Sequence, residues 1–378
     1  MKNSILSQCL LGFFVLAGCQ AGEVVNPTLS SLPAASSEYA GEDLFNSERL
    51  LLSQPIRPRS PVCNLTYYSE MPPITAYRVD EVGVDHDIES IIPRHYTGLG
   101  IAALSSERSR TQLKNELVAH ARARSFVSFS EEISVNRMIQ PVMVAYGHNK
   151  SAFSEDEQRD VEQWFASLLS RVDRMPQTRS LPRLHNVTYR NALNQMILGV
   201  VSNDTARVNR AIAVYKNAID GMRSDGSFPN DSQRGGSSLN YQSNATATLV
   251  TIAEIAANQN IDLYSYGGNK TIATAVRFTI DATNDPSLIY DYARSGPNGG
   301  ELYRDDPNFP ASNPSTEWSR ISRAEFGMYW LARFPNSPEA TKIRSLPYIQ
   351  GKLNGRVSPD WDFQWDVGGS ASCFTSGI

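Results

Sequence analysis

Histidine and cysteine are scarce in this chain, with five and four among 378 residues. None of them falls into a CxxC or HExxH pattern or into a histidine pair at helical spacing, so the sequence offers no metal site. No GxSxG marks a nucleophilic serine, and Gly267-Gly268 followed by Asn269-Lys270 lacks the spacing of a phosphate loop. Charge of one sign is lacking too. Lys and Arg number 35 against 39 Asp and Glu, a formal net charge of -4, and no basic run stands out. Such a chain has no overall attraction for nucleic acid, and none is expected as a partner. Long apolar runs are missing as well. The longest candidate, Ile5 to Leu16, is too short to span a bilayer as a permanent helix.

That short run nevertheless carries information. It follows Lys2 and precedes small residues, the composition of an export signal over residues 1–18. Leu16-Ala17-Gly18-Cys19 resembles the bacterial lipobox, in which the cysteine is lipidated and becomes the first mature residue. Gln20 in place of Asp after Cys19 points to the periplasmic side of a Gram-negative outer membrane, held there by acyl chains. An ordinary signal with a chance cysteine is the alternative. Cys9 would leave with the signal, and Cys63 and Cys373 remain as a pair near the two ends of the mature chain. An oxidising compartment permits a disulfide between them; two buried thiols would also satisfy the sequence.

With 41% apolar and 20% charged residues the mature chain is globular. Residues 19–60, rich in Ser, Pro, Asn and Glu, read as a flexible tether, and 61–378 as the folded domain. Its first part, 61 to about 105, mixes prolines with short β-favouring runs such as ITAYRVDEVGV and reads as loop-rich, with little regular structure. Helical patterns follow at roughly 107–127, 131–148, 154–174, 188–202, 205–222, 239–258, 269–281 and 318–334. The clearest stripe is Val208, Ile212, Tyr215, Ile219 and Met222. Helices of this length on short links predict an all-α, antiparallel α/α array.

Two connections are too elaborate for plain links. Residues 222–244, MRSDGSFPNDSQRGGSSLNYQSN, pack Gly, Asn, Asp, Arg and Tyr between two helices, and 286–312 form a long aromatic and glycine-rich excursion. Asp225, Asp231, Asp305 and Asp306 lie in these loops, so a carboxylate pair for glycoside hydrolysis is one reading. LPRLHNVTYRNA, residues 181–192, sets His185 between a proline and a helical pattern, where it is either a helix cap or an active-site group. Asn186-Val187-Thr188 has the form of a glycosylation sequon, which a bacterial lipoprotein would not use.

The order of segments is itself a pattern: LHNVTYRNALNQMILGVVSND, then DGSFPND, then RGGSSLNYQSNATATLVTIAEIAANQNIDLY. Over Leu184 to Tyr266, and again at SRAEFGMYWLARFPNS, the chain resembles the alginate lyase family of polysaccharide lyases. Members carry an Asn-Asn-His stretch opening a helix, a DG-x-x-P-x-E segment, and an Arg followed by a Tyr opening a later helix. The resemblance implies an α/α toroid with a tunnel or cleft, an acidic polysaccharide as partner, and no metal or organic cofactor.

It also implies a chemistry. β-Elimination at a 4-O-linked uronate neutralises the C5 carboxylate, removes the C5 proton and protonates the departing O4. On this pattern Arg234 and Asn186 hold the carboxylate, His185 is the base, and Tyr241 is the acid or serves as both. Tyr189, Asn230, Asn244 and His95 are the substrate-binding candidates, His95 because Arg94-His95-Tyr96-Thr97-Gly98 is similar to the family's mobile substrate-gripping loop. Two positions depart from the pattern. Leu184-His185-Asn186 reverses the amide and imidazole, and Asn244 stands where many members have a second Tyr. These departures leave a non-catalytic polysaccharide-binding lipoprotein of an exopolysaccharide or capsule system as the alternative.

Overall fold

The computed structural model describes residues 52, 65, 67–71, 86–127, 132–172, 185–295, 324–354 and 367–375. The signal, the tether apart from the buried Leu52, Cys19, Cys63, Asp305 and Asp306 lie outside the described residues. Described helices are α1 (His86–Ala103), α2 (Glu107–Ala123), α3 (Glu132–Asn149), α4 (Glu155–Val172), α5 (Asn186–Val201) and α6 (Thr205–Gly221). They continue as α7 (Ser238–Asn258), α8 (Ile272–Asn284), α9 (Ser287–Ser295), α10 (Phe326–Arg333), α11 (Pro338–Ser345) and α12 (Pro347–Leu353). No β-strand occurs among the described residues.

The apolar stripe read from the sequence lies on α6, where Val208, Ile212, Tyr215 and Ile219 are all buried. Burial of such a row, rather than propensity, is what stabilises a helix of this length. The Asp204 carboxylate starts it by accepting the Arg207 backbone N–H at 3.1 Å. Ser106, Thr271 and Ser337 cap α2, α8 and α11 in the same manner. Consecutive helices pack together, α1 on α2 and α3, α5 on α6, while α5 and α7 face each other across the core. Nearly every residue of α7 is buried, which places it at the centre of the array.

The reading of 61 to about 105 as loop-rich is corrected by α1. Pro93, Gly98 and Gly100 look like helix breakers, yet Ile92, Tyr96, Leu99 and Ala103 form a buried stripe at helical spacing. Gly100 serves packing: a Cβ there would lie 2.5 Å from the Ala145 Cβ, so its absence lets α1 approach α3 closely. The excursion at 286–312 begins with a helix, α9, and α11 and α12 are further helices that the pattern did not reveal.

Ionic and disulfide ties close the C-terminal side. The Arg333 guanidinium grips the Glu254 carboxylate of α7 with bonds of 2.6 and 2.8 Å. Buried Glu325 accepts the Ser372 N–H at 2.9 Å, and Gln140 of α3 accepts the Gly368 N–H at 2.8 Å. Cys373 is disulfide-bonded, so the reading of two free thiols does not hold for it.

Candidate active site

His185 is the cap of α5. Its Nδ1 accepts the Val187 backbone N–H at 3.2 Å, and the adjacent Asn186 N–H is taken by Asp231 Oδ1 at 2.9 Å. Two of the N–H groups that a helix start leaves unpaired are thus satisfied by side chains. Burial, assisted by the nearby Arg234 and Arg190 cations and opposed by the Asn186 amide, lowers the His185 pKa to about 4. The ring is therefore neutral at ordinary pH. With the Nδ1 lone pair engaged, its hydrogen sits on Nε2, so His185 presents a donor.

The 222–244 loop delivers the other groups. Gly226 takes φ +100° and a Cβ there would fall 2.2 Å from the Thr274 carbonyl oxygen, so only glycine lets the turn lie against α8. Asp225 Oδ1 accepts the Ser227 N–H at 2.9 Å, and its Oδ2 accepts the Tyr292 hydroxyl at 2.6 Å. Gln242 of α7 clamps the same loop, accepting the Phe228 N–H at 2.8 Å and donating to the Gly226 carbonyl at 3.2 Å. A single helical turn, Pro229–Ser232, then sets Asp231 against the start of α5. Three residues later the Arg234 guanidinium lies over the Tyr241 ring, 4.2 Å from its centroid. Both side chains are half-buried, which suits groups that meet a ligand.

His185, Asn186, Arg234 and Tyr241 thus belong to one constellation. Asn244 lies one turn beyond Tyr241 on α7, buried, its amide oxygen without a hydrogen-bond partner. Asn230 is half-buried on the short turn beside Asp231. Tyr189 is packed inside, its ring 5.7 Å from that of Phe228, where it supports the loop. His95 is placed differently from its sequence reading. It sits within α1, fully buried, where its Nδ1 accepts the Tyr68 N–H at 3.0 Å and its Nε2 bonds Glu116 at 2.7 Å. A side chain held by both ring nitrogens pins the 67–71 segment; it does not belong to a mobile loop.

Comparisons with known proteins show what this chain is similar to. Residues 107–289 match the family model described as alginate lyase. Over that stretch, just under half of the chain, it is similar to alginate lyases. A polysaccharide lyase of Stenotrophomonas maltophilia is 27% identical over 150 residues, 40% of this chain and 45% of the relative. An alginate lyase of Pseudomonas syringae pv. syringae is 25% identical over 162 residues, 42% of each. The matched stretch therefore spans less than half the length of these relatives. Among solved structures, alginate lyase A1-III from Sphingomonas species A1 superposes with a TM-score of 0.60 at 19% identity, covering 91% of this chain and 98% of that one. A variant of alginate lyase A1-III complexed with tetrasaccharide gives 0.64 at 20% identity, covering 85% and 90%. The fold is accordingly the α/α toroid expected from the resemblance, and the alginate lyase family match encloses every candidate at this constellation.

From the sequence Asp231 was read only as one of the loop carboxylates of a possible hydrolase, and Gln242 was not recognised. A carboxylate in a polar loop looks solvated, and only burial distinguishes this one. Outside the motifs, His120 of α2 is fully buried between Phe126 and Trp164, with ring centroids 5.5 and 5.9 Å away. Neither of its nitrogens has a hydrogen-bond partner, and burial lowers its pKa to about 4.

His120 and His185 make the fold acid-labile. Unfolded, each takes up a proton near 6.5, whereas folded each resists until about 4. Their contribution is complete above about 6.5 and is lost as pH falls from there to about 4, an effect of the order of a few kcal/mol. His120→Phe keeps the stack and removes the titration. Its melting temperature relative to wild type should therefore rise on going from pH 7 to pH 5, and an unchanging difference would refute the assignment.

Proposed function

We propose that this chain is a polysaccharide lyase that cleaves an acidic, uronate-containing polysaccharide by β-elimination. The observation that carries the reading is the Arg234 guanidinium stacked on the Tyr241 ring at 4.2 Å, inside the stretch that matches the family model. A guanidinium offers paired donors to a carboxylate. A uronate carboxylate seated on Arg234 would bring the sugar's C5 beside the Tyr241 hydroxyl.

The geometry revises one role. His185, with Nδ1 engaged and its hydrogen on Nε2, acts as a donor to the C5 carboxylate, together with Arg234 and the Asn186 amide. Drawing charge out of the carboxylate acidifies the C5 proton. Tyr241 then serves as both base and acid. Its oxygen takes the C5 proton, the C5–H electron pair becomes the C4=C5 double bond, the C4–O4 bond breaks, and a proton returns from the tyrosine to O4. Hydrolysis by Asp225 is disfavoured because both of its oxygens already accept hydrogen bonds.

A panel of polyuronates assayed for ultraviolet absorbance and for reducing ends tests the reading. Unsaturated product supports it. New reducing ends without absorbance would mean hydrolysis, and binding without cleavage at any pH would mean a carbohydrate-binding protein.

The N-terminal sequence supports a reading of the site of action. We propose a lipid anchor at Cys19 that holds the domain on the periplasmic side of the outer membrane, with residues 19–60 as its tether and Cys63 as the disulfide partner of Cys373. Cys19→Ala should block processing by the lipoprotein pathway and shift the protein out of the outer-membrane fraction. Processing and fractionation like wild type would refute the anchor.

A further inference from the structure

Arg223 fastens the two ends of the turn that precedes Arg234. Its Nη1 donates to Ser227 Oγ at 3.0 Å and to Ser232 Oγ at 2.7 Å. Ser232 closes the Pro229–Ser232 turn, two residues before Arg234. The Arg223 guanidinium in turn lies over the Tyr292 ring of α9, 4.2 Å from its centroid. Tyr292 is itself fixed. Its hydroxyl donates to Asp225 Oδ2 at 2.6 Å, while Asp225 Oδ1 accepts both the N–H and the hydroxyl of Ser227, at 2.9 and 2.8 Å. Apolar packing alone holds α9 weakly. Its buried residues are Ile289 and Ala293, and Ile289 belongs to a small cluster with Leu239, Phe278 and Ala282, apart from the main core. Leu239 lies two residues before Tyr241 on α7. α9 thus meets the chain just ahead of both members of the Arg234–Tyr241 stack.

We propose that Tyr292 is a positioning residue of the elimination site: its ring supports the Arg223 guanidinium, which holds Ser232 and so sets where Arg234 stands over Tyr241. This rests on the lyase reading. An arginine side chain is long and rich in rotamers, but a ring face beneath its guanidinium and bonds to two hydroxyls leave it one arrangement. Without the ring, the Arg223–Ser232 contact loosens. The short link from Ser232 to Arg234 then passes the slack to the group that must meet the substrate carboxylate. Slack of this kind slows catalysis, since a displacement of about 1 Å far from the reacting atoms can lower the rate about 10²-fold. Tyr292 touches no reacting atom, so its effect passes through Arg234.

The test measures kcat and KM on a polyuronate for wild type, Tyr292→Phe, Tyr292→Ala, Arg234→Ala and Tyr292→Ala combined with Arg234→Ala, with circular dichroism melts to verify folding. Phenylalanine keeps the ring beneath Arg223 and gives up only the hydroxyl bond to Asp225; alanine removes both. Tyr292→Ala should lower kcat at least about tenfold in the wild-type background and less than about twofold in the Arg234→Ala background, where nothing remains to be positioned. Tyr292→Phe should stay within about threefold of wild type. Arg223→Gln, which opens the clamp from the other side, should show the same dependence on Arg234. A role confined to stability gives a different pattern, in which the melting temperature falls and kcat changes by the same factor in both backgrounds. That pattern, a folded Tyr292→Ala with wild-type kcat, or equal losses for Phe and Ala would overturn the inference while leaving the lyase reading intact. Wild type that gives no unsaturated product would overturn the lyase reading, and this inference with it.

Discussion

Tyr241→Phe should lower kcat by roughly 10²–10⁴-fold while KM stays within a few fold of wild type. The substitution removes only the hydroxyl. The ring remains at the start of α7, and the Arg234 guanidinium, 4.2 Å from its centroid, keeps the surface on which it stacks. Substrate binding through the guanidinium is therefore retained. What disappears, on the proposed mechanism, is the oxygen that takes the C5 proton and returns one to O4, and none of the neighbours replaces it. His185 holds its hydrogen on Nε2 and has its Nδ1 engaged by Val187, while Asp231 is enclosed beneath the α5 start. Initial rates of absorbance on the same polymer decide the matter. Turnover at the wild-type rate would remove Tyr241 from the proton-transfer role. A matching rise in KM would instead make it a binding residue.

The sequence carried the fold where physical periodicity was strong and missed it where packing overrode local signals. α6 was legible because one face is apolar and the other wet, so four-three spacing shows. α1 was not, since Pro93 and Gly98 read as breakers and the close approach of Gly100 to Ala145 is a property of two helices, not of one segment. The site divides in the same way. Motif order brought out His185, Asn186, Arg234 and Tyr241, which are separated by up to 56 positions. The direction of each side chain was hidden. That His185 caps a helix with Nδ1, and so donates with Nε2, follows from a bond to Val187 that no residue pattern specifies. The reversed order of amide and imidazole looked like a defect at the sequence level. In three dimensions both residues lie at the mouth of α5, with Asp231 fixing the backbone between them and the loop. The role of His95 went the other way, because its partners, Tyr68 and Glu116, lie 27 and 21 positions away.

Arg234→Ala should damage both binding and turnover, with kcat/KM reduced by about 10³-fold or more. Two effects combine. The substrate carboxylate loses its cationic donor, so the ground-state complex weakens and KM rises. On the proposed mechanism the same cation stabilises the charge that accumulates on the carboxylate as the C5 proton leaves, and loss of one preorganised donor of this kind costs about 10²–10³ in kcat. Its surroundings add to this. Burial raises the Asp231 pKa to about 7 and Arg234 is one of the cations that oppose this, so its removal pushes that pKa higher and extends the neutral form to higher pH. Arg190 remains, but it is fully buried on α5 and cannot take over the stack on Tyr241. Arg234→Lys separates the contributions. A lysine restores a positive charge without the planar fork that pairs a carboxylate and lies flat on an aromatic ring. It should recover much of the KM and little of the kcat, since attraction needs only charge whereas the transition state needs both donors in fixed directions. Steady-state rates for the three proteins at pH 6, where Asp231 is mostly neutral, give the comparison. Equal kcat for Arg and Lys would show that charge alone suffices, and unchanged KM in the Ala variant would show that the carboxylate is bound elsewhere.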